Sequence, residues 1–134
     1  MTSPVADDDL TDLQRRENGM RVRREVLSDE HVDRANDGIT PLTADFQDFI
    51  TRVAWGDVWQ RPGLDRRMRS VAVLASLIAH GHHEELAMHL RAALRNGLTI
   101  AEVKEVILQS AVYSGVPAAN TAYRVAQQVY GDEA

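Results

Sequence analysis

Asp65-Arg-Arg-Met-Arg-Ser-Val-Ala-Val-Leu-Ala-Ser-Leu-Ile-Ala-His-Gly81 is a helix with both ends marked in the sequence. Asp65 offers a side-chain oxygen to the free N–H groups of a first turn, and Gly81 can take the left-handed conformation that stops a last one. Between them Ser70 to Ala79 is apolar nearly all round, which requires cover on every side and predicts an oligomer. Working outward, the same punctuation recurs. The next helix spans about His82 to Asn96 and ends at Gly97. Thr99-Ile-Ala-Glu102 is a capping box opening a third, which stops at Gly115. Pro117 stands where a first helical residue belongs, and a fourth helix runs to about Tyr130 before Gly131. Apolar stripes of helical period agree: Leu86, Leu90, Ala93 and Leu94 on one helix, Val103, Val106, Ile107, Ser110 and Ala111 on the next. Upstream, Thr40-Pro41 reads as the start of a helix through Phe46, Phe49, Ile50 and Val53. Another covers Leu10 to Leu27, and a short one follows from Asp29. The expectation is all-α: a single-domain bundle of about six helices over residues 10–134, behind a loose N-terminus over 1–9.

Composition narrows the chemistry. A chain of 134 residues has room for one modest core, and no apolar run approaches the roughly 20 residues of a membrane span. Met1 to Asp9 carry neither a basic start nor an apolar stretch, so they do not read as a secretory signal, and a cytoplasmic location is expected. The absence of cysteine excludes disulfides, thiolate metal sites and thiol catalysis. A net charge of −5 argues against nucleic acid or an anionic membrane as partner. Yet the chain has fourteen arginines against one lysine, Lys104, and arginine is the residue for two-pronged recognition of carboxylate or phosphate.

Two stretches collect the reactive groups. In His82-His-Glu-Glu85-Leu-Ala-Met-His89, Glu85 and His89 are one helical turn apart and His82 lies three before Glu85, on the same side. A carboxylate beside an imidazole suits a general acid near neutral pH. His82, Glu85 and His89 also have a spacing that three metal ligands could use, but the metalloprotease pattern starting at His83-Glu84 meets Ala87 where histidine is required. In the second stretch Arg52, Arg61, Arg66, Arg67 and Arg69 surround Trp55 and Trp59, with the turn Pro62-Gly63 leading to a helix start whose N–H groups attract anions. Arg21, Arg23, Arg24 and His31 add a further basic group. The competing reading makes the tryptophans core, most arginines solvated, His31 a cap or packing residue, and Glu85–His89 a surface pair.

Four motifs carry a resemblance: Val22-Arg-Arg-Glu-Val-Leu-Ser-Asp-Glu-His-Val32, Ala54-Trp-Gly-Asp-Val-Trp-Gln-Arg-Pro-Gly-Leu-Asp-Arg-Arg67, Glu85-Leu-Ala-Met-His-Leu-Arg-Ala-Ala93 and Gly115-Val-Pro-Ala-Ala-Asn120. With them the chain resembles the carboxymuconolactone decarboxylase and alkylhydroperoxidase D-like family, in its 4-carboxymuconolactone decarboxylase branch. Ser28 stands where those decarboxylases lead one to expect glycine. The peroxidases of the group use Cys-x-x-Cys-x-x-x-His; here that spacing reads His82, Glu85, His89, so peroxidase chemistry by that route is excluded.

The resemblance implies an alkylhydroperoxidase D-like helical fold and a ring-like homo-oligomer, a hexamer or trimer. It implies no cofactor, no metal, and a small dicarboxylate lactone as substrate, decarboxylated to 3-oxoadipate enol-lactone in protocatechuate catabolism. On that reading His89 donates the proton, Glu85 orients it, and His82 or His31 polarises the lactone carbonyl. One or more of Arg23, Arg24, Arg52 and Arg69 hold the acetate side chain, with Trp59 in the binding wall. A related lactone or keto-acid isomerase or decarboxylase is one alternative, and a non-catalytic small-acid-binding oligomer another. In some bacteria such a domain is fused to the hydrolase that acts on its product; this chain is expected to be free-standing.

Overall fold

The computed structural model describes residues 9–132 and 134, so the loose terminus expected over 1–9 lies, but for Asp9, outside the described residues. Every regular element among them is helical. They gather into two compact units, one ending at Gly63 and one beginning at Leu64.

The first unit starts with α1 (Asp12–Leu27), opened by a capping box in which Gln14 N–H donates to Thr11 Oγ1 at 3.1 Å and Thr11 N–H donates to Gln14 Oε1 at 2.9 Å. A short α2 (Asp29–Asp37) follows. The helix expected from Thr40-Pro41 begins later, as α3 (Ala44–Ile50). The Thr40 carbonyl accepts from the N–H groups of Thr43 and Ala44 at 3.0 and 2.9 Å, while Thr43 Oγ1 accepts from Thr40 N–H at 3.0 Å, which binds this stretch into a turn.

Past Ile50 the helix does not simply continue: Thr51–Trp59 is π-helical, a widening no periodicity announced. Thr51 Oγ1 donates to the Gln47 carbonyl at 2.8 Å, a side-chain bond that competes with the backbone ladder where the helix widens. The Trp55 and Trp59 rings stack at 5.1 Å and are buried. α1 lies along this segment with glycine on both sides of the crossing. A Cβ on Gly19 would fall 1.9 Å from the Thr51 carbonyl oxygen, and one on Gly56 would fall 2.5 Å from that of Arg15. Val22, Val26, Leu27 and Val32 complete the buried apolar set.

The second unit consists of α4 (Arg66–His80), α5 (His83–Arg95), α6 (Ile100–Ser114) and α7 (Val116–Tyr130). Asp65 caps α4 through Met68 N–H at 2.9 Å, Gly81 ends it in the left-handed region, and Thr99 with Glu102 forms the expected capping box of α6. Leu74, Ile78, Leu86, Leu90, Leu98, Val103, Ile107, Ala119 and Ala122 form one core. The stripes read from the sequence face it, except that Leu94 is exposed. Among the described residues there are seven α-helices and a π-helical segment, against the expected six or so helices.

Within one chain α4 is not covered all round: Ala72, Ser76 and Ala79, spaced four and three apart, are exposed along one side. That side is what the chain leaves for the cover expected from another copy. Met68 in the first turn of α4 is also exposed, and the most exposed large apolar side chains of this unit are Val112, Tyr113 and Val116 around the α6–α7 junction, with Leu108 near them.

Three helix ends share one unusual backbone conformation. Gly115 (φ 97°, ψ 154°) joins α6 to α7, Gly131 (φ 89°, ψ 173°) ends α7, and Ser28 (φ 90°, ψ 154°) joins α1 to α2. A serine there carries roughly 1–3 kcal/mol of strain. Its hydroxyl accepts from His31 N–H at 3.3 Å, but exchanging a serine cap for glycine costs only a few tenths of a kcal/mol, and the added freedom of an unfolded glycine about 0.4–1 kcal/mol. Strain wins. Ser28→Gly is expected to stabilise the protein by about 1 kcal/mol, raising the thermal midpoint by roughly 3–6 °C when unfolding is followed by circular dichroism.

Candidate functional site

In the first unit the arginines separate by partner. Arg24, on α1, pairs with Asp29 at 3.2 Å and Asp33 at 2.9 Å, and these bonds raise its pKa. Arg52, on the π-helical segment, pairs with Asp48 at 2.8 Å with the same effect, and Asp48 also takes Arg16 at 3.3 Å. Arg15 meets Asp57 at 3.3 Å.

Arg23 is different. It is 5% exposed, its Nη1 donates to the neutral side-chain oxygen of Gln47 at 3.3 Å, and its Nε is buried without a hydrogen-bond partner among the described residues. Burial pushes its pKa below the usual arginine value, and no carboxylate pushes back. A guanidinium keeps its proton even so, which leaves a fixed buried cation able to bind an anion. Trp59 is buried beside Trp55, and His31 is half-buried in the first turn of α2.

In the second unit His89 is the buried member of its motif. At 9% exposed it lies on the core-facing side of α5, with buried Leu86 three residues before it and buried Ala93 four after. Glu85 and His82 are exposed. Glu85 stands with Glu84 in the first turn of α5, where negative charge suits the helix dipole, and His82 precedes that turn. The His80 and His82 rings stack at 5.9 Å. The shared spacing of His82, Glu85 and His89 therefore does not give them a shared environment. Among the described residues no three histidine, aspartate or glutamate side chains converge as metal ligands.

Arg69 is half-buried on α4, while Arg67 is engaged by Glu102 and the Gly97 carbonyl and Asp65 caps the helix start. That turn thus ties α4 to α6, and one of its N–H groups, that of Met68, is already taken by Asp65. A groove of about 320 Å³ between α6 and α7 has Ile100, Val103, Ile107, Tyr123 and Tyr130 in its wall and contains none of the candidate catalytic or binding residues read from sequence. No described helix is long and apolar enough to cross a membrane.

Residues 44–128 match the profile of the "Carboxymuconolactone decarboxylase family". The chain belongs to that family. It is 47% identical over 123 residues to a 4-carboxymuconolactone decarboxylase of Acinetobacter baylyi, covering 92% of each chain. It is 42% identical over 134 residues to a nitrosuccinic acid decarboxylase of Metarhizium robertsii, covering 98% of this chain and 92% of that one. A 4-carboxymuconolactone decarboxylase of Pseudomonas putida is 46% identical over 48 residues, all of that sequence and 36% of this one.

Sequence reading missed Gln47 as the partner of Arg23, because a contact across 24 positions between two helices leaves no local periodicity. It could have found Asp48 with Arg52, which are one turn apart.

The clamp on Arg67 has a pH signature. Arg67, with help from Thr99 N–H, holds the Glu102 carboxyl at about 2, below its ordinary 4.5. With the folded value depressed, the stabilisation is complete above pH 4.5 and is lost as pH falls toward 2. Glu102→Gln is expected to lower the thermal midpoint at pH 7 and to flatten its decline across that acid range, as read by thermal melts at stepped pH.

Proposed function

We propose that this protein is a cytoplasmic, cofactor-free decarboxylase of protocatechuate catabolism that converts 4-carboxymuconolactone to 3-oxoadipate enol-lactone and carbon dioxide. The observation that carries the reading is the buried guanidinium of Arg23, a cation without its own carboxylate among the described residues, in a chain of this family. It suits the acetate side chain of the substrate, which stays charged throughout. Arg24 and Arg52, already paired with aspartates, are weaker candidates for that task. Arg69 and Trp59 remain as further binding groups.

The departing carboxylate sits on a carbon conjugated through the ring double bond to the lactone carbonyl. When the bond to that carboxylate breaks, its electron pair moves through the ring to the carbonyl oxygen, giving a dienolate. A proton then goes to the carbon beside the carbonyl. Proton delivery by a placed acid contributes about 10²–10⁴-fold, and each donor that stabilises the oxyanion roughly 3–4 kcal/mol. His89 is assigned the proton, since burial fixes its imidazole. His31 or His82 is assigned the carbonyl oxygen, and Glu85 acts on His89 only through its charge.

A second substrate has a specific observation in its favour, the 42% identity to the nitrosuccinic acid decarboxylase. Nitrosuccinate also loses a carboxylate from a carbon attached to an oxygen-terminated electron sink, the nitro group, and keeps a second carboxylate. The chemistry is shared and only the sink differs. Self-association is proposed on the exposed apolar set Leu108, Val112, Tyr113 and Val116, of which Tyr113 is 81% exposed. A ring-like homo-oligomer, a hexamer or trimer, would cover it.

The deciding assay adds pure protein, with a chelator present, to 4-carboxymuconolactone and, separately, to muconolactone and nitrosuccinate. Loss of ultraviolet absorbance with matching carbon dioxide from the first is expected; saturable binding without carbon dioxide would leave a small-acid-binding protein. His89→Ala is expected to lower kcat at least about a hundredfold with the fold retained, and Glu85→Gln and His82→Gln to lower it less. Val112→Asp is expected to reduce the assembly's mass in sedimentation velocity; an unchanged mass would move the interface elsewhere.

A further inference from the structure

We infer that Gln47 is a positioning residue for the reaction: its side-chain amide fixes the Arg23 guanidinium while leaving the positive charge uncompensated for the carboxylate the substrate retains. The inference rests on the reading of Arg23 as the carboxylate-binding group.

Gln47 is well placed to hold something still. It lies within α3, its N–H donates to the Thr43 carbonyl at 2.9 Å, and its own carbonyl accepts from Thr51 Oγ1 at 2.8 Å where the helix widens. From this anchored backbone the side chain reaches α1, where its Oε1 accepts from Arg23 Nη1 at 3.3 Å. A guanidinium has five N–H donors, and this bond occupies one. Nε, also buried, has no partner among the described residues.

The neighbouring residue sharpens the point. Asp48, one position on, receives two arginines with more exposed side chains, Arg16 at 3.3 Å and Arg52 at 2.8 Å. So the acid stands against the solvated cations, and the neutral amide against the buried one. For stability alone the reverse would serve better, because exposed ion pairs contribute about 0–1 kcal/mol whereas a buried cation without a countercharge is costly. A neutral acceptor at 47 makes sense if the countercharge arrives with the ligand. A glutamate there, with almost the same shape, would occupy Arg23 permanently.

The test compares Gln47→Glu, Gln47→Met and Arg23→Met with the wild type, by thermal melting and by steady-state kinetics on 4-carboxymuconolactone. Gln47→Glu is expected to raise the thermal midpoint while raising KM by at least about tenfold with kcat within about threefold. Gln47→Met, which loses the acceptor, is expected to lower the midpoint and raise KM. A merely structural glutamine would not separate stability from KM in this way. An unchanged KM in Gln47→Glu, or a fall in both its stability and its kcat, overturns the inference. Should Arg23→Met leave KM unchanged, the reading of Arg23 itself fails; if Arg23→Met raises KM and Gln47→Glu does not, only the role of Gln47 falls. Succinate, a dicarboxylate without an electron sink, titrated calorimetrically into the same variants, ranks them without turnover. It therefore decides the matter even if the wild type releases no carbon dioxide.

Discussion

Gly19 and Gly56 let α1 lie directly on the backbone of the π-helical segment, and the register of that contact fixes what happens along the helix. Arg15, Gly19 and Arg23 are spaced by four, so they share one side of α1. The Arg15 carbonyl meets Gly56, Gly19 meets Thr51, and Arg23 meets Gln47, an antiparallel run in which partners step back as α1 steps forward. A side chain at position 19 would have to push one backbone off another, with no rotamer available to relieve the clash. The approach permitted there brings Arg23, one turn on, down to 5% exposure. The widened helix belongs to the same arrangement, since Thr51, whose side chain bonds back to Gln47, also supplies the carbonyl that Gly19 faces.

Holding a guanidinium at that depth against an amide oxygen, with no carboxylate beside it among the described residues, costs several kcal/mol in desolvation. Protein stabilities are only about 5–15 kcal/mol, so an arrangement of this kind is a large fraction of the total. Apolar residues could fill the position more cheaply. The strain at Ser28 belongs to the same class: two other helix ends adopt that backbone shape with glycine, and this one carries a side chain. Both departures from local optimality lie close in sequence, on α1 and at its end. Departures of this kind concentrate where a protein binds or reacts.

Much of the second unit was legible because its signals are local. Asp65, Gly81, the Thr99–Glu102 box and Pro117 act on the nearest turn of chain, so the helix ends fell where these residues stand. The first unit was less legible for a matching reason. The π-helical segment depends on a threonine side chain and on the packing of α1, neither of which alters the apolar period. α4 was legible as a helix, and its exposed side of Ala72, Ser76 and Ala79 is the part of its cover that one chain does not supply. At the candidate site, arginine identity was readable, but of the pairings only a local one such as Arg52 with Asp48 was within reach. Arg24 finds acids five and nine residues away, and Arg23, its neighbour in sequence, meets none among the described residues because successive helical residues point about 100° apart. The histidine motif was readable as spacing, yet only burial separates His89 from His82 and Glu85.

The division between binding and chemistry follows from where charge changes. A carboxylate that the substrate keeps has the same charge before, during and after bond cleavage. A cation fixed on it stabilises ground state and transition state alike, which is uniform binding and acts on KM. Its further value is orientation, holding the scissile bond in line with the electron sink. The rate must come from groups that respond to the electrons as they move: a donor at the sink oxygen, and an acid at the carbon that receives the proton. The substrates named for this protein's decarboxylase relatives differ in the sink, a lactone in 4-carboxymuconolactone and a nitro group in nitrosuccinic acid. Preference within such a family then has little reason to reside in the arginine. It belongs to whatever faces the sink, where a planar ring and a nitro group differ most in shape.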